Sequence, residues 1–276
     1  MKRGLASRLF ALLWLFCSQV FALPEASNVP GGIARVPLGT LLDTPEPPKA
    51  WLGDQPVWVA EDNGHWVAVV GVPLDTPAGK HALHVSINQE QRDALFDIKA
   101  KRYAEQHVRL KDTSKITLSP EDEKRALAEI ARIQAIKKHW RTSAETDGAF
   151  TLPANGRLAS RFGLRRFFNG EARAPHSGLD IAVPRGTPIT AAAEGQVLAV
   201  DDYFFNGKTV FIDHGNGLLS MYCHLDRVDV KPGAYVSQGQ RLGLAGATGR
   251  ASGPHLHWSV VLNGTMVDPE LFLPRQ

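Results

Sequence analysis

Apolar and polar positions along this 276-residue chain fall mostly into short runs cut by glycine and proline. Between Trp51 and Ile98 the runs are Pro56-Val57-Trp58-Val59, residues 65–70 and residues 82–87. They are separated by Glu61-Asp62-Asn63-Gly64 and by a turn from Pro73 to Gly79. Runs of four to eight β-branched and aromatic residues between turn signals favour strands. Their density predicts a small β-sandwich-like or barrel-like unit. Past Phe150 the same pattern returns at 195–200, 209–212, 218–222, 241–245 and 257–262, which predicts an antiparallel β unit.

One segment breaks the pattern. Ser119-Pro120-Glu121-Asp122 combines a hydroxyl cap, a proline at the first helical position and acids in the first turn. Leu127, Ile130, Ile133, Ile136 and Trp140 then recur at helical spacing, and Lys137, Lys138 and His139 suit the C-terminal end. The helix is expected to pack across one unit or bridge both, with its mixed charges as a solvated face. No helix is expected after Trp140. Residues 23–50, rich in proline and glycine, read as an extended entry segment, and 142–148 as a linker. The expected fold is therefore mainly β: an N-terminal β domain at 23–118, a connecting helix and linker at 119–148, and a second β domain at 149–276.

The first residues are a separate matter. Lys2, Arg3 and Arg8 precede the apolar run from Leu9 to Phe16, and Val20-Phe21-Ala22 offers a small-residue cleavage pattern. Residues 1–22 read as a secretory signal peptide. The run is shorter than the roughly 20 residues a membrane span needs, so no span is expected in the mature chain. Composition then changes the picture in two ways. The 31 basic and 28 acidic residues include three basic ones in this leader, which leaves 28 against 28. That balance gives no reason to expect nucleic acid or an anionic membrane as partner. Of two cysteines only Cys223 lies beyond the leader, so no intramolecular disulfide is expected. Between Tyr222 and His224 in an apolar run, Cys223 reads as core filling, with nucleophile or soft ligand as the alternative.

The candidate chemistry sits in the second half. In the strand-like stretch Pro254-His255-Leu256-His257-Trp258, residues two apart share a face. His255 and His257 would look into one site with Leu256 in the core behind. Two neutral imidazoles suit a divalent transition metal, zinc first. A metal needs more donors, and His176 and Asp180, four apart, supply one nitrogen and one oxygen; His224 is a fifth polar candidate. A lone histidine is usually structural, but five such residues in one domain raise the case for zinc. His65, His81, His84 and His107, in the first half, have no partner carboxylate or Cys at ligand spacing and read as surface or strand-face residues. Spacing does not tell which of His255 and His257 would bind metal.

Several spaced motifs together resemble a known family. Residues 175–182 (Pro-His-Ser-Gly-Leu-Asp-Ile-Ala), 183–189 (Val-Pro-Arg-Gly-Thr-Pro-Ile), Asp213-His214-Gly215-Asn216-Gly217, Tyr222-Cys223-His224-Leu225 and Gly253-Pro254-His255-Leu256-His257 occur in the order seen in lysostaphin-like (M23) zinc metallopeptidases. The resemblance covers about residues 150–270. It implies an antiparallel β lysostaphin-like catalytic domain (a duplicated hybrid motif) at 149–276 that cuts peptide cross-links of bacterial peptidoglycan. It also implies that His176, Asp180 and His257 are the metal ligands, Zn2+ the cofactor, and His224 and His255 the catalytic histidines, sharing proton transfer and oxyanion stabilisation. The substrate would be peptidoglycan stem peptides, the scissile bond in a Gram-negative wall joining D-alanine to diaminopimelate.

The family pattern leaves some positions open. Some relatives place a tyrosine where Phe162 stands and credit its hydroxyl with assisting; here that role is absent or supplied elsewhere. His214 reads as turn structure more readily than as a catalytic residue. Arg161, Arg165 and Arg166 are either forks for substrate carboxylates or surface charge. Val29-Pro30-Gly31-Gly32 and 69–74 are similar to a β domain that precedes the peptidase domain in some Gram-negative members. That implies a periplasmic or secreted location and a domain that occludes the groove, positions the enzyme or stabilises the fold, with any regulatory partner unidentified. The rival expectations are an inactive M23-like module that binds wall or activates an amidase, and an exported peptidase acting on a protein.

Overall fold

The computed structural model describes residues 22–109 and 118–274; apart from Ala22, the segment read as a signal peptide lies outside them. No described helix is long and apolar enough to cross a membrane.

Six strands form the N-terminal sheet: β1 (Ile33–Thr40), β2 (Lys49–Leu52), β3 (Gln55–Asp62), β4 (His65–Gly71), β5 (Gly79–Ile87) and β6 (Glu90–Ile98). They are antiparallel in the order β1-β4-β3-β2-β5-β6. The edge strands β1 and β6 come close, so the sheet curls around a core that includes Val36, Leu38, Val57, Val70, Leu83, Val85 and Phe96. The expectation of an extended entry segment over 23–50 is corrected here, because that stretch contains the whole of β1 and the start of β2. Pro37 disguises the strand. A proline is tolerated on an edge strand, and the ladder with β4 shifts register between Pro37 and Gly39.

A short strand, β7 (Glu105–Val108), then leaves this sheet and the helix α1 (Pro120–Lys137) follows. The Ser119 side chain accepts from the Asp122 amide, the cap the sequence predicts. Two expectations about α1 are corrected. Leu127 and Ile130 are exposed; only Ala126 is buried, while Ile133 and Ile136 pack against the small cluster Tyr203, Phe211, Met221 and Cys223. Nor are the charges merely solvated. Arg132 pairs with Asp201 at 2.6 Å, and Glu129 Oε2 accepts from the Phe204 amide at 2.6 Å. Polar contacts therefore dock the helix where an apolar stripe is thin. The polar stretch 142–148 is likewise pinned down: Asn216 bonds to both the amide and the carbonyl of Ser143, and the Thr146 hydroxyl donates to the His214 carbonyl.

The C-terminal half holds β8 (Arg157–Ser160), β9 (Arg165–Phe168), β10 (Glu171–Ala172), β11 (Leu179–Ala182), β12 (Pro188–Thr190), β13 (Gly195–Tyr203), β14 (Gly207–Gly215), β15 (Leu218–Val228), β16 (Tyr235–Val236), β17 (Arg241–Ala245), β18 (Leu256–Leu262) and β19 (Thr265–Val267). Its central path is β16-β13-β14-β15-β18-β11-β8, all antiparallel. The far end of β15 pairs instead with β17, and β17 with β12, so the sheet folds back over its own face. The core fills the space between, with Leu179, Ile189, Ile212, Tyr222, Leu225, Leu242 and Trp258 among its buried members. Two features depart from the expected picture. A single turn of 3-10 helix closes the fold at Pro269–Phe272, and β7 pairs with β9 in parallel.

Ile33, Trp58 and Val69 of the N-terminal sheet are buried in this same core beside Val260, Leu262 and Val267. The junction is thus apolar inside and is closed by Asn263, whose side chain bonds both backbone groups of Gly71, at 2.6 Å and 3.1 Å.

Candidate metal centre

Asp180 lies on β11 directly opposite His257 on β18. Cross-strand partners put their side chains on the same face, so the antiparallel ladder aims both at one point. His176 reaches that point from the loop before β11. Gly178 lets the loop come close: a Cβ there would sit 2.4 Å from the Trp258 carbonyl oxygen and 2.5 Å from Ser259 Oγ. The result is a triangle of donor atoms. His176 Nε2 is 2.9 Å from Asp180 Oδ1 and 3.1 Å from His257 Nδ1, and the third edge is 2.9 Å.

The remaining nitrogens are tied back. His176 Nδ1–H donates to the Arg161 carbonyl at 2.9 Å, and Ser259 Oγ stands 2.9 Å from His257 Nε2. Such partners fix the tautomer that turns a lone pair toward a metal. Two neutral imidazoles and a carboxylate suit a divalent transition metal. The edges fall just short of the roughly 3.3 Å between ligands of a tetrahedral ion with bonds near 2.0–2.1 Å. Among the described residues these three are the group of His, Cys, Asp and Glu side chains close enough to hold an ion. Burial pushes the Asp180 carboxyl up, but the closely apposed ring nitrogens of His176 and His257 outweigh it, holding the group well below the usual carboxylate range. Desolvation in turn pushes His257 down, toward the neutral form a ligand needs.

His224 and His255 complete the group. Along β15, Tyr222 points into the main core and Cys223, opposite His257, to the other face. Regular alternation would send His224 inward with Tyr222. Instead its φ is +63°, an uncommon conformation for a residue other than glycine. The kink resets the alternation: Leu225 takes the inward position and His224 turns to the site. Its ring centroid lies 4.7 Å from that of His255 and 6.1 Å from that of His257. The Asn206 carbonyl holds its amide at 2.8 Å, and Nδ1–H donates to the Thr248 carbonyl at 2.8 Å. Asn206 belongs to the turn that α1 grips through Phe204, so the helix buttresses this histidine. Burial pushes His224 down to about 4, against the smaller upward effect of the Thr248 carbonyl. It is therefore neutral at pH 7. His255 Nδ1–H donates to the Gly253 carbonyl, and its Nε2 is 3.8 Å from Asp180 Oδ1.

The structure brings all five sequence-derived candidates together and leaves the others outside. His214 is buried between the Glu194 carbonyl and the Ser220 hydroxyl, at 2.6 Å and 2.8 Å. Cys223 is buried and desolvation pushes its thiol up to about 12, as befits a core residue. His65, His84 and His107 are exposed and His81 half-buried, all in the first half of the chain. Phe162 is buried and meets Tyr103 edge-on; the Tyr103 hydroxyl is spent on the Pro30 carbonyl, at 2.7 Å. Arg161 pairs with Glu270, and Arg165 with Glu105 at 3.0 Å. Arg166, which sequence could not single out, bonds Ser160 Oγ at 3.0 Å and lies 3.8 Å from Asp180 Oδ2, balancing the carboxylate from behind.

Comparisons with known proteins agree on one family. Residues 174–269 match Peptidase family M23, and residues 26–101 match the Peptidase family M23 N-terminal domain. A crystal structure of a peptidase M23 from Pseudomonas aeruginosa is 42% identical; the match covers 89% of this chain and 95% of that one, with a TM-score of 0.74. Peptidoglycan DD-endopeptidase ShyA of Vibrio cholerae is 40% identical over 120 residues, 43% of this chain and 28% of that protein. Peptidoglycan DD-endopeptidase ShyC of the same organism is 44% identical over 115 residues, 41% of this chain and 26% of that protein. The matched stretches thus span little more than a quarter of these two curated relatives. The likeness to the Pseudomonas chain runs nearly end to end over both, and on that ground this chain belongs to peptidase family M23.

Proposed function

We propose that the chain is an extracytoplasmic zinc endopeptidase that hydrolyses peptide cross-links of peptidoglycan. The observation that carries the reading is the donor triangle of His176, Asp180 and His257, with the Nε2 atoms of two further histidines free to face the same space. Three protein ligands leave a fourth position for water or substrate, the mark of a catalytic rather than a structural site. His176, Asp180 and His257 would hold a zinc ion, which when bound would supply Lewis acidity for the scissile carbonyl and for activating water.

The other residues have roles that follow from their surroundings. Neutral His224 accepts a proton at Nε2 while the Thr248 carbonyl fixes its tautomer. His255, held through Nδ1–H, presents Nε2 beside the ligands; a proton taken up there during the reaction turns it into a donor that stabilises negative charge developing on the carbonyl oxygen. Asp180 supplies the negative charge that a neutral histidine pair lacks. The substrate class comes from the relatives, whose names specify peptidoglycan DD-endopeptidase activity.

The test is metal content of the purified protein beside digestion of peptidoglycan sacculi. About one zinc per chain, release of soluble cross-link fragments, loss with a chelator and recovery on adding zinc are the expected results. Zinc-loaded protein that leaves sacculi intact and cleaves no isolated cross-linked peptide would overturn the reading.

A further inference from the structure

The strap from β6 to β7 crosses to a separate three-stranded sheet, β10-β9-β7, and lines a recess of about 610 Å3 beside the loop that bears His176. Lys101, Arg102, Tyr103 and Glu105 line it from the strap, and Arg165 and Pro175 from the other side. Tyr103 anchors the strap. Its ring lies so close to Gly163 that an added Cβ would be 2.1 Å away, and β7 then pairs with β9, Glu105 opposite Arg165. The volume lies within the range of small-ligand sites.

Charge indicates what would enter. Three cations face one carboxylate, and that carboxylate, Glu105, is occupied by Arg165. The Lys101 ammonium sits 4.5 Å from the centre of the Tyr103 ring. Among the described residues no carboxylate lies within ion-pair distance of Lys101 or Arg102. Lys101 also feels the charge of Asp268, which leaves Arg102 the less committed of the two; together they still favour an anion, and the flat fork of arginine suits a carboxylate. The recess shares a loop with the metal centre. Pro175 precedes His176, and the Gly163 amide donates to the His176 carbonyl at 2.8 Å, so one loop forms the cavity wall and carries a ligand.

We propose that this cavity is a subsite for a free carboxylate of the substrate peptide, supplied chiefly by Lys101 and Arg102 from outside the 174–269 peptidase segment. The proposal rests on the peptidoglycan reading, whose stem peptides carry several free carboxylates. A chain entering the metal centre past Pro175 would present one of them to the strap.

The experiment compares Lys101→Ala/Arg102→Ala with the native protein on two soluble cross-linked stem peptides, one with free carboxylates and one with them amidated. On the free acid the variant is expected to raise KM about tenfold, with kcat little changed. On the amide both proteins should show the same raised KM. Glu105→Gln, which removes the competing negative charge, should lower KM on the free acid alone. Equal KM for native and variant on the free acid, or an equal loss on both substrates, overturns the subsite. If the native protein cleaves neither peptide, the peptidoglycan reading fails instead. Binding of the uncross-linked stem peptide, measured by calorimetry, then decides the subsite alone: affinity lost on amidation and in the variant supports it, and affinity unchanged by either overturns it.

Discussion

Asp180 Oδ1 and His257 Nδ1, from residues 77 apart in sequence, stand 2.9 Å from each other because their strands pair there. The distance is set by a backbone ladder, so two corners of the donor triangle are as rigid as the sheet. His176 is the third corner and arrives on a loop, held by the Arg161 carbonyl and by the close passage of Gly178 over β18.

Ser259 Oγ lies 2.9 Å from His257 Nε2, the ring nitrogen turned away from the donor triangle. Ser259→Ala removes that partner from a fully buried position. Zinc affinity is expected to fall about 10- to 100-fold with the fold retained, as titration against a competing chelator and circular dichroism would register. Unchanged affinity would show that the serine does not set the ring's tautomer.

How far the sequence discloses this site can be judged from the same residues. The i, i+2 spacing of His255 and His257 is readable, and Leu256 does fall in the core between them. That His176 and Asp180 meet them depends on β11 pairing with β18, a long-range register that no local pattern encodes. The turn at His224 is less legible still, since positive φ at a histidine carries no sequence signal and Tyr222 and Leu225 look like ordinary core residues. In the N-terminal half the obstacles were an edge strand disguised by Pro37 and an apolar stripe on α1 that is in fact half exposed, because polar contacts to β13 hold the helix.

His224→Asn separates metal binding from turnover. Asparagine tolerates the left-handed backbone that His224 adopts, so the strand should keep its bend while the imidazole is lost. Zinc content is expected to stay near one per chain and kcat to fall about 10²- to 10⁴-fold. Metal analysis and peptide cleavage on the same sample provide the check; near-native turnover would remove His224 from the proton-transfer role.

His214 sets an acid limit on stability. Burial pushes it down to about 4, outweighing its bond to the Glu194 carbonyl, whereas the unfolded chain titrates near 6.5. Below 6.5 the unfolded state gains a proton that the folded state refuses. The contribution is fully present above pH 6.5 and drains away as pH falls through about 4, reaching roughly 3 kcal/mol at most. His214→Gln has no such proton to gain. Urea midpoints of variant and native protein, measured from pH 7 to pH 4, should converge as pH falls; parallel curves would place the acid sensitivity elsewhere.

Asn263 tests whether the two sheets behave as one body. Its φ of +40° belongs to the Asn-Gly turn between β18 and β19, so replacement by alanine would mix backbone strain with lost hydrogen bonds. Asn263→Gly keeps the turn geometry available and deletes only the side chain that satisfies Gly71. Two buried backbone groups then lose their partners, in a crevice where the Leu262 carbonyl oxygen would be only 2.8 Å from a Cβ on Gly71. A loss of about 2–4 kcal/mol is expected from two unsatisfied groups. Because Ile33, Trp58 and Val69 are buried in the C-terminal core, the loss should appear as a single cooperative transition moved to lower denaturant. A split into two transitions would show instead that the N-terminal sheet unfolds on its own and that Asn263 is the clasp between separable bodies.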